Sequence, residues 1–81
     1  MNIRIENFPP GITVDEVREF LGTSEDIEDI LLSDAGNSDY VIAMVKLSTG
    51  QTGATAIAEY IDGRFYGERR LSAQAMTLLN E

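Results

Sequence analysis

The chain has 81 residues, 43% of them hydrophobic, which is enough for one small domain with a single modest core. It has no Cys and no His, so disulfides, thiolate zinc sites, cysteine nucleophiles and the commonest general base are excluded. We therefore expect no metal, no cofactor and no enzymatic activity. Fourteen acidic and six basic residues give a net charge of -8, which repels phosphate at long range. The sequence holds no apolar run of membrane-spanning length and no basic-then-apolar leader, so we expect no membrane segment and a cytoplasmic location.

The N-terminal segment from Asn2 to Asn7 is predicted to be the first strand. Ile3 and Ile5 alternate with polar residues there, which places the two isoleucines on one face of a sheet. The run Pro9-Pro10-Gly11 then ends the strand in a turn, because proline lacks the amide hydrogen that continues a strand ladder.

The next segment carries signals for a first helix. Thr13 and Glu16 have the spacing of a capping box, which places the helix start at Val14. Gly22 follows the last apolar residue and is typical of a left-handed helix end. The apolar stripe of this helix consists of Val14, Val17, Phe20 and Leu21.

Two further strands are predicted in the middle of the chain. Ile27 to Leu32 is rich in apolar residues, and the polar segment Ser33 to Ser38 after it is typical of a turn. Tyr40 to Leu47 is then a strand that is apolar on both faces. Its inward face is predicted to hold Val41, Ala43, Val45 and Leu47, and its outward face Tyr40, Ile42, Met44 and Lys46.

The C-terminal part predicts a second helix and a last strand. Ser48 and Gln51 have capping-box spacing, and Asp62-Gly63 ends the helix. A turn or small hairpin over Arg64 to Gly67 follows, and Arg70 to Ala75 alternates as the last strand. The helix stripe consists of Ala54, Ile57, Ala58 and Ile61.

The predicted order of strand, helix, strand, strand, helix, strand indicates an α+β, ferredoxin-like βαββαβ fold. In this fold a four-stranded antiparallel sheet carries two helices on one face and leaves the other face open. We predict one domain over residues 1–81, with a short C-terminal extension at 76–81. Its predicted core is Ile3, Ile5, Phe8, Val17, Phe20, Leu21, Ile30, Leu32, Val41, Ala43, Val45, Leu47, Ile57, Ile61 and Leu71.

Four segments together resemble the RNA recognition motif (RRM) family, whose order and spacing they share over nearly the whole chain. Ile3 to Phe8 resembles the family's first-strand motif, and the residues from Pro9 to Thr13 resemble the turn and helix cap that follow it. Tyr40 to Leu47 falls on the family's third-strand motif. Ala54 to Gly63 is similar to the second helix, and Gly67 to Leu71 to the lead into the last strand. The resemblance implies a sheet order of fourth, first, third and second strand.

Members of this family bind single-stranded RNA by stacking bases on three aromatic side chains of the sheet. The corresponding positions here are Arg4, Ile42 and Met44, so all three aromatics are missing. Stacking contributes ~1–3 kcal/mol per base. The resemblance therefore implies RNA binding that is weak and salt-sensitive, with a dissociation constant raised from the micromolar toward the millimolar range.

Several residues on the predicted open face still favour RNA. The guanidinium of Arg4 can stack on a base or hold a phosphate, and Lys46 and Arg70 are predicted on the same face. Long basic side chains also suit any solvent-facing strand, so their presence does not decide between these roles. The RNA-binding candidates are Arg4, Tyr40, Ile42, Met44, Lys46 and Arg70.

The alternative is a protein-interaction or self-association module, including a homodimer. Leu31, Ile42 and Met44 would form an apolar patch on the open sheet, and such patches mark interaction sites. The apolar tail from Ala75 to Leu79 could instead fold over that patch. A third option is an acidic helix face that docks a basic partner. This face consists of Asp15, Glu16 and Glu19.

The sequence carries no motif for a small-molecule substrate.

Overall fold

A computed structural model describes residues 1–22, 26–34, 36 and 38–76 of the chain. Within these ranges the chain forms two helices and six strands. No helix among the described residues is long and apolar enough to cross a membrane. The elements are β1 (Asn2–Phe8), α1 (Val14–Leu21), β2 (Ile27–Ser33), β3 (Val41–Leu47), α2 (Gln51–Ile61), β4 (Phe65–Tyr66), β5 (Arg69–Arg70) and β6 (Ser72–Met76).

The four long strands form one antiparallel sheet, in the order β2-β3-β1-β6, and β4 pairs with β5 in a separate hairpin. Helix α2 packs on β6 and β1, and α1 packs on β2. This confirms the predicted ferredoxin-like fold and its strand order, in which β6 is the predicted fourth strand. The central pair of the sheet is therefore β1 and β3.

The core lies between the helices and the inward side of the sheet. Ile3 pairs with Val45 and Ile5 with Ala43, and all four residues are fully buried. Among the predicted core residues, Phe20, Leu32, Val41 and Ile57 are only partly buried against it. Among the described residues, six buried ones lie outside the predicted core, namely Ile12, Ile27, Ile42, Ala54, Ala58 and Ala73.

The predicted signals at the two helix starts have different outcomes. In α1 the Thr13 hydroxyl accepts from the Glu16 amide at 3.2 Å, and the Glu16 carboxylate accepts from the Thr13 amide at 2.9 Å. This confirms the first capping box, and Gly22 ends the helix with a φ of 68°. The second capping box is wrong, because the N-cap of α2 is Gly50 and has no side-chain hydrogen bond. Ser48 instead donates its amide to the carbonyl of Asp26 at 2.8 Å and ties the end of β3 to the entry of β2.

A bulge interrupts the pairing of β1 with β3 after Ile5. Asn7 lies in it with a φ of 87°, a left-handed conformation that asparagine tolerates better than most residues. Its amide nitrogen donates to the carbonyl of Arg70 at 3.0 Å, and its amide oxygen accepts from the Arg69 guanidinium at 3.3 Å. Asn7 thus fastens the end of β1 to the β4–β5 hairpin.

The last strand begins two residues later than predicted. Arg70 pairs with Phe65 in the hairpin, and the Leu71 amide donates to the carbonyl of Arg64 at 2.7 Å. The side-chain carboxylate of Asp62 accepts from the Ala73 amide at 3.0 Å, which ties the end of α2 to β6. The prediction that Arg70 stands on the last strand is therefore wrong, because the hairpin holds its backbone.

Three predictions fall partly outside the described residues. The C-terminal extension at 76–81 and the tail proposed to cover the sheet are outside them from residue 77 onward. The turn at 33–38 includes residues 35 and 37, which are also outside them. The third strand begins at Val41, so Tyr40 immediately precedes it.

Substitutions of Asn7 test whether the bulge holds the hairpin. Asn7→Ala should lower the free energy of unfolding by about 1–3 kcal/mol, because two hydrogen bonds worth roughly 0.5–1.5 kcal/mol each are lost. Asn7→Gly loses the same bonds but adopts a positive φ without a steric cost, so it should be destabilised less than Asn7→Ala. Urea unfolding of the three chains measures both differences. Equal stability of all three would show that the side chain contributes nothing.

Candidate functional site

The sheet face opposite the helices presents one continuous row of side chains. Register places Gln74 beside Arg4, Arg4 beside Met44 and Met44 beside Leu31, across all four strands. Directly paired residues of neighbouring strands point to the same side of a sheet. We call these four residues the open-face row. It combines an amide, a guanidinium, a thioether and an aliphatic side chain within one sheet width.

The apolar part of this face differs from the sequence prediction. Leu31 is 65% exposed and Met44 is partly exposed, whereas Ile42 is only 6% exposed and lies outside the main core cluster. The β1 bulge places two residues, Glu6 and Asn7, opposite Ile42, where a regular ladder would place one, whereas Met44 pairs with Arg4 alone on β1. The predicted exposure of Ile42 is wrong, and the apolar side chains that this face exposes include Leu31, Met44 and Met76, the last of which pairs with Asn2 beside Lys46.

Both cations of the open face have a carboxylate nearby. Arg4 Nη2 lies 3.8 Å from Glu6 Oε1, and Lys46 Nζ lies 3.8 Å from Glu28 Oε1. The side chains of Arg4 and Lys46 are 41% and 63% exposed, and exposed ion pairs contribute only about 0–1 kcal/mol. A phosphate can therefore displace either carboxylate at low cost.

The remaining predicted residues lie apart from the row. Tyr40 is partly exposed and lines a concavity of about 230 Å³ with Glu6 and Asn7, beside the bulge. Arg70 lies on β5, and its guanidinium is close to Gly63. A side chain at position 63 would meet this guanidinium, since its Cβ would stand 3.4 Å from Nη2. The structure thus brings together Arg4, Met44 and Lys46, sets Tyr40 at one end of the sheet, and removes Arg70 from the face.

The sequence analysis missed an aromatic cluster on the other side of the domain. The rings of Phe8, Phe20 and Tyr66 meet edge to face, with centroids 5.4 to 6.0 Å apart. The Arg64 guanidinium lies over the ring of Phe20 at 5.4 Å and over that of Tyr60 at 4.7 Å. Phe8 and Phe20 were assigned to the core alone, and no sequence signal joined them to Tyr66.

A concavity of about 300 Å³ opens beside this cluster, and we call it the aromatic groove. A second depression of about 270 Å³ adjoins it and shares Tyr66. The aromatic groove is lined by Phe20 and Tyr66 together with the carboxylate side chains of Glu16 and Glu19.

Comparison with known proteins finds similarity in structure rather than in sequence. No family model and no curated protein sequence matches the chain. The third RRM of Pes4 superposes with a TM-score of 0.79 at 20% identity, over 94% of this chain and 90% of that one. The RRM of Rna15, solved with bound RNA (GU), superposes with a TM-score of 0.73 at 9% identity, over 94% of this chain and 82% of that one. The chain therefore has the fold of RRM domains.

Proposed function

We propose that this protein is a non-catalytic module that binds single-stranded RNA on the open face of its sheet. The observation that carries the proposal is the open-face row, in which Arg4 stands between Gln74 and Met44. Lys46 lies on the same face, two residues further along β3 than Met44. The shared fold of the Rna15 RRM, which was solved with bound RNA (GU), adds support. A cytoplasmic location belongs to the same proposal.

Each residue of the row has a chemistry suited to part of a nucleotide. The guanidinium of Arg4 can pair with a phosphate or lie flat on a base, and the ammonium of Lys46 attracts a phosphate as a point charge. Gln74 is exposed and offers both a donor and an acceptor to a base edge. Met44 provides a polarisable, partly exposed surface for the face of a base.

The affinity should be low for two physical reasons. Met44 and Arg4 stand where aromatic rings would stack bases at ~1–3 kcal/mol each, and Ile42 at the third such position is buried. The net charge of -8 also opposes the approach of RNA, and both open-face cations must leave a carboxylate to bind phosphate. We place the dissociation constant near the millimolar range at low salt, which corresponds to about 4 kcal/mol of binding free energy.

An NMR titration of the ¹⁵N-labelled chain with a short GU-containing single-stranded RNA tests this proposal. Saturable shifts should appear at the amides of Arg4, Met44 and Lys46. Arg4→Ala should weaken binding by about tenfold, because a hydrogen bond to a charged group contributes roughly 1.5–3 kcal/mol. Arg18→Ala makes the same charge change on α1 and should bind within about twofold of the unaltered chain. Shifts confined to the helices, or equal losses in both variants, would overturn the proposal.

Restoring an aromatic ring at the centre of the row should strengthen RNA binding. Met44→Phe places a stacking surface beside Arg4, and one stacked base contributes ~1–3 kcal/mol, so affinity should rise by roughly fivefold or more. Thr55→Phe, at an exposed position of α2, serves as the matched control. The same titration measures both variants. No gain for Met44→Phe in a folded chain would mean that bases do not reach this part of the sheet.

A second candidate function is a protein contact through the same face, including pairing with a second copy of the chain. The observation that favours it is the 65% exposure of Leu31 directly beside Met44 on the sheet. Exposed apolar side chains that adjoin one another are typical of interaction surfaces. The surface is small, so any homodimer formed through it should be weak.

Sedimentation velocity over a range of chain concentrations tests this second function. If the chain associates through the sheet, Leu31→Asp should abolish the dimer, because a carboxylate would be buried without a partner. Thr55→Asp adds the same charge to an exposed position of α2 and should leave the dimer intact. A dimer that persists in Leu31→Asp excludes this face as the interface.

A further inference from the structure

The aromatic groove is a second candidate surface, separate from the open sheet face. Phe20 comes from α1 and Tyr66 from β4, and both rings line the groove while they pack against each other at 5.4 Å. Glu16 and Glu19 line it as well, and both side chains are exposed. Glu16 Oε1 accepts from the Thr13 amide, which leaves Oε2 and the whole carboxylate of Glu19 toward solvent.

This combination of rings and carboxylates selects for one kind of side chain. A guanidinium can stack on an aromatic ring and bind a carboxylate through its planar fork, whereas a lysine ammonium is more strongly hydrated. The domain itself shows the first of these contacts, because Arg64 covers Phe20 at 5.4 Å and Tyr60 at 4.7 Å. A phosphate group is disfavoured in the same place, since the carboxylates repel it.

The charge of the surroundings points to the same class of ligand. Asp15 lies on α1 with Glu16 and Glu19, and Arg18 is the one basic residue of that helix. The adjoining depression beyond Tyr66 is lined by one carboxylate, Glu68, and by Arg69, whose guanidinium donates to the side-chain oxygen of Asn7. Complementary charge increases the rate of encounter and helps to exclude wrong partners. The acidic lining of the groove itself, Glu16 and Glu19, therefore suits a positively charged side chain.

We propose that the aromatic groove docks an arginine-containing segment of a partner protein. One guanidinium of that segment lies against Tyr66, beside the Phe20 ring that Arg64 covers, and pairs with Glu19, and neighbouring residues of the segment continue into the depression at Glu68. This site is independent of the RNA site proposed on the sheet, because its lining residues lie on α1 and β4. The two proposals can therefore fail separately.

The test is an NMR titration of the ¹⁵N-labelled chain with two five-residue peptides at low salt. One peptide carries two arginines separated by glycine, and the other carries lysines in their place. The arginine peptide should produce saturable shifts at Glu19, Phe20 and Tyr66 and bind at least about fivefold tighter than the lysine peptide. Equal binding of the two peptides would overturn the proposal, as would shifts spread over the whole acidic surface.

Charge reversal separates a specific site from general attraction. Glu19→Arg should weaken binding of the arginine peptide by at least about tenfold. Glu59→Arg makes the same charge change at an exposed position of α2 outside the groove, and binding should stay within about threefold. Equal losses in the two variants contradict the proposal. A single-stranded RNA that shifts the same groove residues and competes with the peptide also contradicts it, since the groove would then be a nucleic-acid site.

Discussion

The pairing of β1 with β3 determines both faces of this domain. Ile3 with Val45 and Ile5 with Ala43 point inward and are fully buried, while Arg4 with Met44 points outward between them. Because side chains alternate along a strand, a slip of one residue would exchange the core for the open face. The burial that stabilises the fold therefore also fixes which side chains face a ligand.

The fold could be predicted from the sequence because its signals are local. Alternation at Ile3 and Ile5, the Thr13–Glu16 cap and the Gly22 stop each act within a few residues, and the structure has all of them. The predicted cap at Ser48 is wrong because α2 begins at Gln51 with Gly50 as its N-cap, while Ser48 donates its amide and its hydroxyl to the carbonyl of Asp26. A short motif gives no information about such a contact between residues that are distant in the sequence.

The candidate sites depend more strongly on long-range geometry. Ile42, which is buried, lies opposite a bulge in a different strand, and the position of Arg70 follows from its pairing with Phe65. The aromatic groove joins Phe20 of α1 to Tyr66 of the hairpin, two residues that are far apart in the sequence. By contrast, simple alternation was sufficient to predict that Arg4, Met44 and Lys46 share one face.

The two proposed surfaces differ in charge in a way that separates their ligands. On the open face Arg4 stands beside Glu6, and Lys46 stands beside Glu28 and pairs with Asp29, so this face carries charges of both signs within a strongly acidic chain. The aromatic groove is lined by carboxylates and rings, with no cation among its described lining residues. A polyanion should prefer the first surface and a basic segment the second.

The salt dependence of RNA binding tests the central claim most directly. If Arg4 and Lys46 hold two phosphates, the logarithm of the association constant should fall against the logarithm of salt concentration with a slope of about -1.4, because each contact to a single strand contributes roughly -0.7. Arg4→Ala should halve that slope. A slope near zero, or a slope that Arg4→Ala leaves unchanged, would contradict RNA binding by these two residues.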